Sequence, residues 1–192
     1  MAPHILIILG STRQGRKGEA VAHWFMHLAG GREDATFELV DLRDWPLPFL
    51  DAPVPPASGQ YDPAARPWAE KIATADGFVF VLPEYNHGYP AVLKNAIDHI
   101  YHEWGKKPAA IVSYGSHAAG YRGAEQLRQV LIELDVAPIR AQVGIPRVWA
   151  AFDEQGNIHD TAHNRVAGAV LDELIWWSTA LKTARAAELQ AV

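Results

Sequence analysis

The stretch Gly10-Ser-Thr-Arg-Gln-Gly-Arg-Lys-Gly18 gathers hydroxyls and cations between glycines. Glycine lets the backbone turn and bare its N–H groups, Ser11 and Thr12 can donate hydrogen bonds, and Arg13, Arg16 and Lys17 add fixed positive charge. A loop of this make-up in front of a helix is suited to a phosphate. The alternative is a Gly/Ser turn with solvated basic side chains. The spacing Gly10-x-x-x-x-Gly15 also matches a nucleoside-triphosphate loop. Arg16, however, stands where that loop has its lysine, and Lys17 where a hydroxyl must bind magnesium, which argues against ATP or GTP hydrolysis.

A second block is Leu82-Pro-Glu-Tyr-Asn-His-Gly-Tyr-Pro90. Its aromatic rings and amides offer an apolar wall and backbone donors to a flat heteroaromatic ring. Taken singly, Tyr85 and Tyr89 fit half-buried core rings equally well, and His87 a surface residue. The third block, Ser113-Tyr-Gly-Ser-His-Ala-Ala-Gly-Tyr-Arg-Gly123, is glycine-rich. Close approach of backbone to a ligand edge accounts for Gly115 and Gly120, as does loop flexibility. Metal chemistry is not expected. His23 and His27 share a helix face without a third ligand nearby, and His102-Glu103 has Lys106 where a zinc-protease helix needs its second histidine.

Each block follows an apolar run that reads as a buried strand. The runs are 4–9, 37–42, 77–82, 109–114 and 138–145. Between them, helical spacing predicts a helix from Gly18 that Gly30-Gly31 stops, a short one over 68–75, one from Pro90 to about Trp104, and one over 123–134. A last helix covers 162–189, after a turn at 153–157, and its Trp176-Trp177 pair reads as core or subunit interface. Residues 44–67 form a proline-rich loop too long for a plain connector. Strands alternating with helices predict a doubly wound parallel sheet with right-handed crossovers and helices on both faces. Ligands then belong beyond the strands' carboxyl ends, where all three blocks lie.

With 192 residues, 49% of them hydrophobic and 20% charged, the chain reads as a single domain over 1–192 that needs no disulfide or metal. The absence of cysteine excludes a disulfide framework, an iron–sulfur cluster and thiol catalysis, and fits a cytoplasmic setting. No apolar run is long enough for a signal-peptide core or a membrane span. A net charge of −5 argues against a nucleic-acid partner.

Over most of its length, roughly residues 5–156, the chain resembles the NADPH-dependent FMN reductase family of the flavodoxin-like superfamily. The resemblance is carried by Pro83-Glu-Tyr-Asn-His-Gly-Tyr-Pro-x-x-Leu-Lys-Asn-Ala-Ile-Asp98, by Gly10-Ser-Thr-Arg, and more weakly by Ser113-x-Gly with Gly120-x-Arg122. It implies a five-stranded flavodoxin-like sheet of order 2-1-3-4-5. It also implies FMN as cofactor, NADPH or NADH as hydride donor, a small-molecule electron acceptor, and a homodimer or homotetramer. By position, Ser11, Arg13, Arg16, Lys17 and Gly18 would hold the FMN phosphate. Pro83, Glu84, Tyr85, Asn86, His87 and Gly88 would line the isoalloxazine ring, and Ser113, Tyr114 and Gly115 its far side. Glu84 and Lys94 resemble a structural ion pair, and Arg122 is a candidate for preferring the 2′-phosphate of NADPH. No side chain is required as nucleophile or base. Many relatives have serine at the positions of Gly18 and Gly88, and glycine at that of Ala91. The rival reading is an electron-carrying flavodoxin, which resembles this fold but has a Ser/Thr-rich phosphate loop without basic residues.

Overall fold

The computed structural model describes residues 2–190. Five strands, β1 (His4–Leu9), β2 (Thr36–Asp41), β3 (Gly77–Pro83), β4 (Pro108–Tyr114) and β5 (Ala137–Ile145), form one parallel sheet of order β2-β1-β3-β4-β5. This is the flavodoxin-like order expected. The crossovers carry helices α1 (Gly18–Gly30), α2 (Arg66–Ala73), α3 (Ala91–Asp98) and α4 (Tyr121–Glu133), and α5 (Ala162–Gln190) follows β5.

Alternate strand residues divide the sheet's two faces between two cores. Ile5, Ile7, Val79 and Val81 pack with Phe25 of α1 and Leu171 and Leu174 of α5. Leu6, Ile8, Phe78 and Phe80 pack with Trp68 of α2, Ile97 of α3 and Leu127 of α4. Every residue of β3 and β4 is buried, so the central strands read as unbroken apolar runs and not as alternating ones.

Several boundaries differ from the sequence expectation. β2 lies one residue earlier, α2 spans Arg66–Ala73, and α4 begins at Tyr121 and not at Gly123. The largest difference is α3, which ends at Asp98 and not near Trp104. The hydroxyl of Tyr61 accepts from the N–H groups of Tyr101 (3.2 Å) and His102 (3.4 Å) and donates to Glu103 (2.7 Å), which draws that segment out of the helical path. Trp104 then folds inward, fully buried, with its indole N–H on the Ile97 carbonyl at 3.1 Å. The long proline-rich loop is anchored to α3. The Pro48 carbonyl accepts from Asn95 Nδ2 at 2.8 Å and from His99 Nε2 at 2.7 Å, and Asn95 Oδ1 takes the Leu50 N–H at 3.1 Å. Trp176 and Trp177 are not core residues: both are exposed, stacked edge to face with centroids 5.2 Å apart. Among the described residues no helix is long and apolar enough to cross a membrane.

At the amino edge of the sheet, Lys107 is buried with its ammonium on the Ile72 carbonyl at 3.0 Å and 5.6 Å from the centroid of the Phe78 ring. Burial, with Arg185 nearby, lowers its pKa from 10.5 to about 8. Between those values the unfolded chain binds the proton and the folded chain does not, so this group makes the fold gain stability as pH rises. Lys107→Met keeps the stem but removes the titration. The wild-type minus variant difference in unfolding free energy, measured by urea denaturation, should therefore rise by about 3 kcal/mol from near pH 8 to near pH 10.5. A flat difference would show that the ammonium stays charged in the fold.

Candidate functional site

The first loop leaves β1 through Gly10, whose N–H bonds the Val81 carbonyl at 2.9 Å. A Cβ there would sit 2.9 Å from Leu93 Cδ2 and 3.3 Å from the Val81 carbonyl oxygen, a crowding that glycine avoids. Ser11 is buried, and its hydroxyl meets the Tyr85 hydroxyl at 2.7 Å, which ties the first loop to the second.

Arg16 departs from expectation. Its guanidinium is buried and faces inward, pairing with Asp41 at the end of β2, with Glu19 at 2.9 Å, and with the Ser11 carbonyl. Arg43 closes the same network from outside, reaching Glu19 at 2.7 Å, the Arg13 carbonyl at 2.9 Å and the Thr12 carbonyl at 3.4 Å. Carbonyls of three successive loop residues are thus held by arginines. Burial alone would push the Asp41 carboxyl up, but hydrogen bonds from Arg16 and the Arg43 N–H outweigh it and hold the carboxyl below its ordinary range. Arg16 therefore shapes the loop with its donors engaged by protein groups, while it also lines the cleft in which it was expected to grip a phosphate. The exposed cations are Arg13 and Lys17. Lys17 is the N-cap of α1 and makes no side-chain capping bond. Gly18, the first helical residue, is buried: a Cβ would lie 2.3 Å from the Tyr114 hydroxyl.

The second loop is a tight hairpin. Tyr85 and Gly88 exchange backbone bonds of 2.8 and 2.9 Å around Asn86 and His87, both at positive φ (50° and 71°). A two-residue turn with both central residues left-handed is the type I′ turn, which asparagine tolerates better than histidine. The hairpin is held from α4. Arg122 forms an ion pair with Glu84, its backbone N–H bonds Glu84 Oε2 at 3.2 Å, and its Nη1 lies 2.8 Å from His87 Nε2. A guanidinium has no lone pair to offer, so in this contact Nε2 is the accepting atom. The expected Glu84–Lys94 pair does not form. Lys94 pairs with Asp98 one turn along α3, while Glu84, with 8% of its side chain exposed, faces the start of α4.

In the third block, Ser113 is fully buried and gives its hydroxyl to the Ala119 carbonyl at 2.8 Å, so it braces the turn and does not border the cleft. Gly120, at φ 81°, lies against β4, where a Cβ would be 2.8 Å from the Tyr114 N and O atoms. Tyr114 is buried, and among the described residues its hydroxyl has no hydrogen-bond partner. Such a group costs about 1–3 kcal/mol, and burial keeps the phenol protonated.

These loops enclose a cleft of about 180 Å³ at the carboxyl edge of the sheet. Arg13, Arg16 and Lys17 line one side, Pro83, Glu84 and Tyr85 another, and Tyr114, Gly115 and Ser116 a third. Asn86, His87 and Gly88 of the hairpin are not in its lining, nor are the buried Ser11, Gly18 and Ser113. The sequence reading missed Val148 and Trp149, which complete the lining from the short 3-10 turn Val148–Ala150 after β5. Trp149 is 58% exposed. The available signal was topological, since the loop after the fifth strand must reach the same edge as the others. A larger hollow of about 670 Å³ lies under the proline-rich loop, and none of the expected site residues lines it.

Removing the inward guanidinium should cost stability before any ligand is added. Arg16→Met leaves Asp41 without its main partner and should lower the unfolding free energy of the ligand-free protein by about 3 kcal/mol. Arg13→Ala, on the exposed side, should change it by less than about 0.5 kcal/mol. Urea titrations of the two variants check this, and similar small effects in both would remove Arg16 from its shaping role.

Residues 3–150 match the model of the NADPH-dependent FMN reductase family. The chain is 45% identical to an NAD(P)H-dependent FMN reductase of Schizosaccharomyces pombe over 77% of this chain and 76% of that one. It is 31% identical to a 2-hydroxy-1,4-benzoquinone reductase of a Burkholderia species, over 92% of this chain and 97% of the relative. In structure it is similar to a flavoenzyme NAD(P)H:(acceptor) oxidoreductase from Paracoccus denitrificans, with TM-score 0.73 and 19% identity over 93% of this chain and 98% of the other. With a family match across all three loops and relatives of this identity and coverage, the chain belongs to the NADPH-dependent FMN reductase family.

Proposed function

We propose that the cleft holds FMN with its phosphate at the start of α1, and that the protein is an oxidoreductase passing hydride from NADPH or NADH to a small acceptor. Quinones, azo compounds, metal oxyanions and free flavin are the acceptor classes. The observation that carries the reading is the 2.7 Å contact between Ser11 and Tyr85. It joins the cationic first loop to the hairpin, so that an anion site and a flat-ring site form one cleft.

The residues present fit the group. Arg13, Lys17 and the uncapped amides of α1 supply donors to a phosphate. Tyr85 and Trp149, both partly exposed, supply flat apolar surface at the other end. The hairpin from Pro83 to Gly88 presents its backbone beside that surface, and Arg122 holds it rigid, a use that engages the guanidinium and leaves the choice between NADPH and NADH to other groups. Gly115 borders the opposite side. Bound flavin supplies the hydride-accepting and hydride-donating chemistry. The protein's part is to hold the ring, balance the phosphate charge and leave one face open at the rim. A cysteine-free chain suits the cytoplasm. The exposed Trp176 and Trp177 suit a homodimer or homotetramer in which a second copy covers them.

Titrating the purified protein with FMN should quench flavin fluorescence to a fixed stoichiometry, and absence of binding would end this reading. A single cleft serving nicotinamide and acceptor in turn should give parallel double-reciprocal lines when NADPH and a quinone are varied together. Lines that intersect would instead require both substrates to be bound at once.

A further inference from the structure

Tyr114 closes β4 with its hydroxyl against the first residue of α1. A Cβ on Gly18 would lie 2.3 Å from that oxygen and 3.0 Å from Cζ, so the phenol fills the volume a side chain at position 18 would need. The oxygen is buried and lacks a hydrogen-bond partner among the described residues. The helix start beside it is equally unprovided, since Lys17 caps α1 without a side-chain bond to its amides. Tyr114 lines the same cleft as Arg13 and Lys17. Buried polar groups in native proteins find partners, and one without a protein partner at a ligand cleft points to the ligand. Burial keeps the phenol protonated, so it has a proton to donate. The groups converging here, namely the first-turn amides, two cations and the hydroxyl, are all donors. An oxyanion satisfies them together.

We propose that the Tyr114 hydroxyl donates a hydrogen bond to the phosphate of the bound flavin at the start of α1, and that it is a residue by which this chain selects FMN over riboflavin. The assignment rests on the reading that the cleft holds FMN. It makes Tyr114 a specificity residue at the phosphate end and not a wall for the ring.

Tyr114→Phe keeps the ring and removes one atom. Flavin-free wild type and variant are titrated with FMN and with riboflavin, followed by flavin fluorescence. The expected result is a loss of about 10-fold or more in FMN affinity with riboflavin affinity unchanged. The ligand-free variant should melt at the same temperature as wild type or higher, because an unpaired buried hydroxyl has been deleted. A hydroxyl with a purely structural role would instead lower the melting temperature and leave the FMN-to-riboflavin ratio alone. Unchanged FMN affinity, or equal losses for FMN and riboflavin, overturns the proposal. Inorganic phosphate binding to both proteins, measured by calorimetry, separates the two readings if wild type binds no flavin. Weaker phosphate binding in the variant then keeps the oxyanion role of Tyr114 while the flavin reading falls, and equal binding overturns both.

Discussion

In an all-parallel sheet each crossover must carry the chain back to the amino edge before the next strand begins, so every strand delivers its following loop to the same edge. The order β2-β1-β3-β4-β5 adds a reversal beside β1, where successive crossovers run to opposite faces and the loops after β1 and β3 part around a crevice. The cleft is built from these loops and from those after β4 and β5. Burial of β3 and β4 on both faces makes the arrangement rigid, since no residue of these strands can be exposed without opening one of the cores.

Charge in the first loop is divided between two tasks. A guanidinium buried as deeply as that of Arg16 must be paired, and Asp41, Glu19 and a loop carbonyl pair it. The cations left on the exposed side are Arg13 and Lys17, with the dipole of α1 behind them. The acidic partners of Arg16 lie on β2 and within α1, so the loop is fastened to elements on either side of it. That fastening lets a glycine-rich segment keep a fixed shape without a ligand.

Much of this was legible in the sequence because it rests on local rules. Continuous apolar runs located the strands, and basic and aromatic residues immediately after them located the cleft. What escaped was settled by tertiary geometry. Whether Arg16 points outward or inward depends on Asp41, which is remote in sequence but adjacent through the pairing of β1 with β2. Glu84 chose Arg122 over Lys94 because α4 begins directly opposite it, a fact no spacing along the chain encodes. The shortened α3 was hidden because its apolar stripe continues to Trp104, while the hydroxyl that interrupts it belongs to Tyr61 in a distant loop. Trp149 carried no motif at all.

The contact between Gly18 and Tyr114 also constrains how this sequence can change over time. A side chain at position 18 collides with the phenol and with Leu9, whose Cδ1 would be 2.8 Å from the added carbon. Trimming the phenol first removes a hydroxyl from the cleft before anything replaces it. Neither order of substitution is neutral, so the two positions form an epistatic pair that drift can cross only in a double step or through a weakened intermediate.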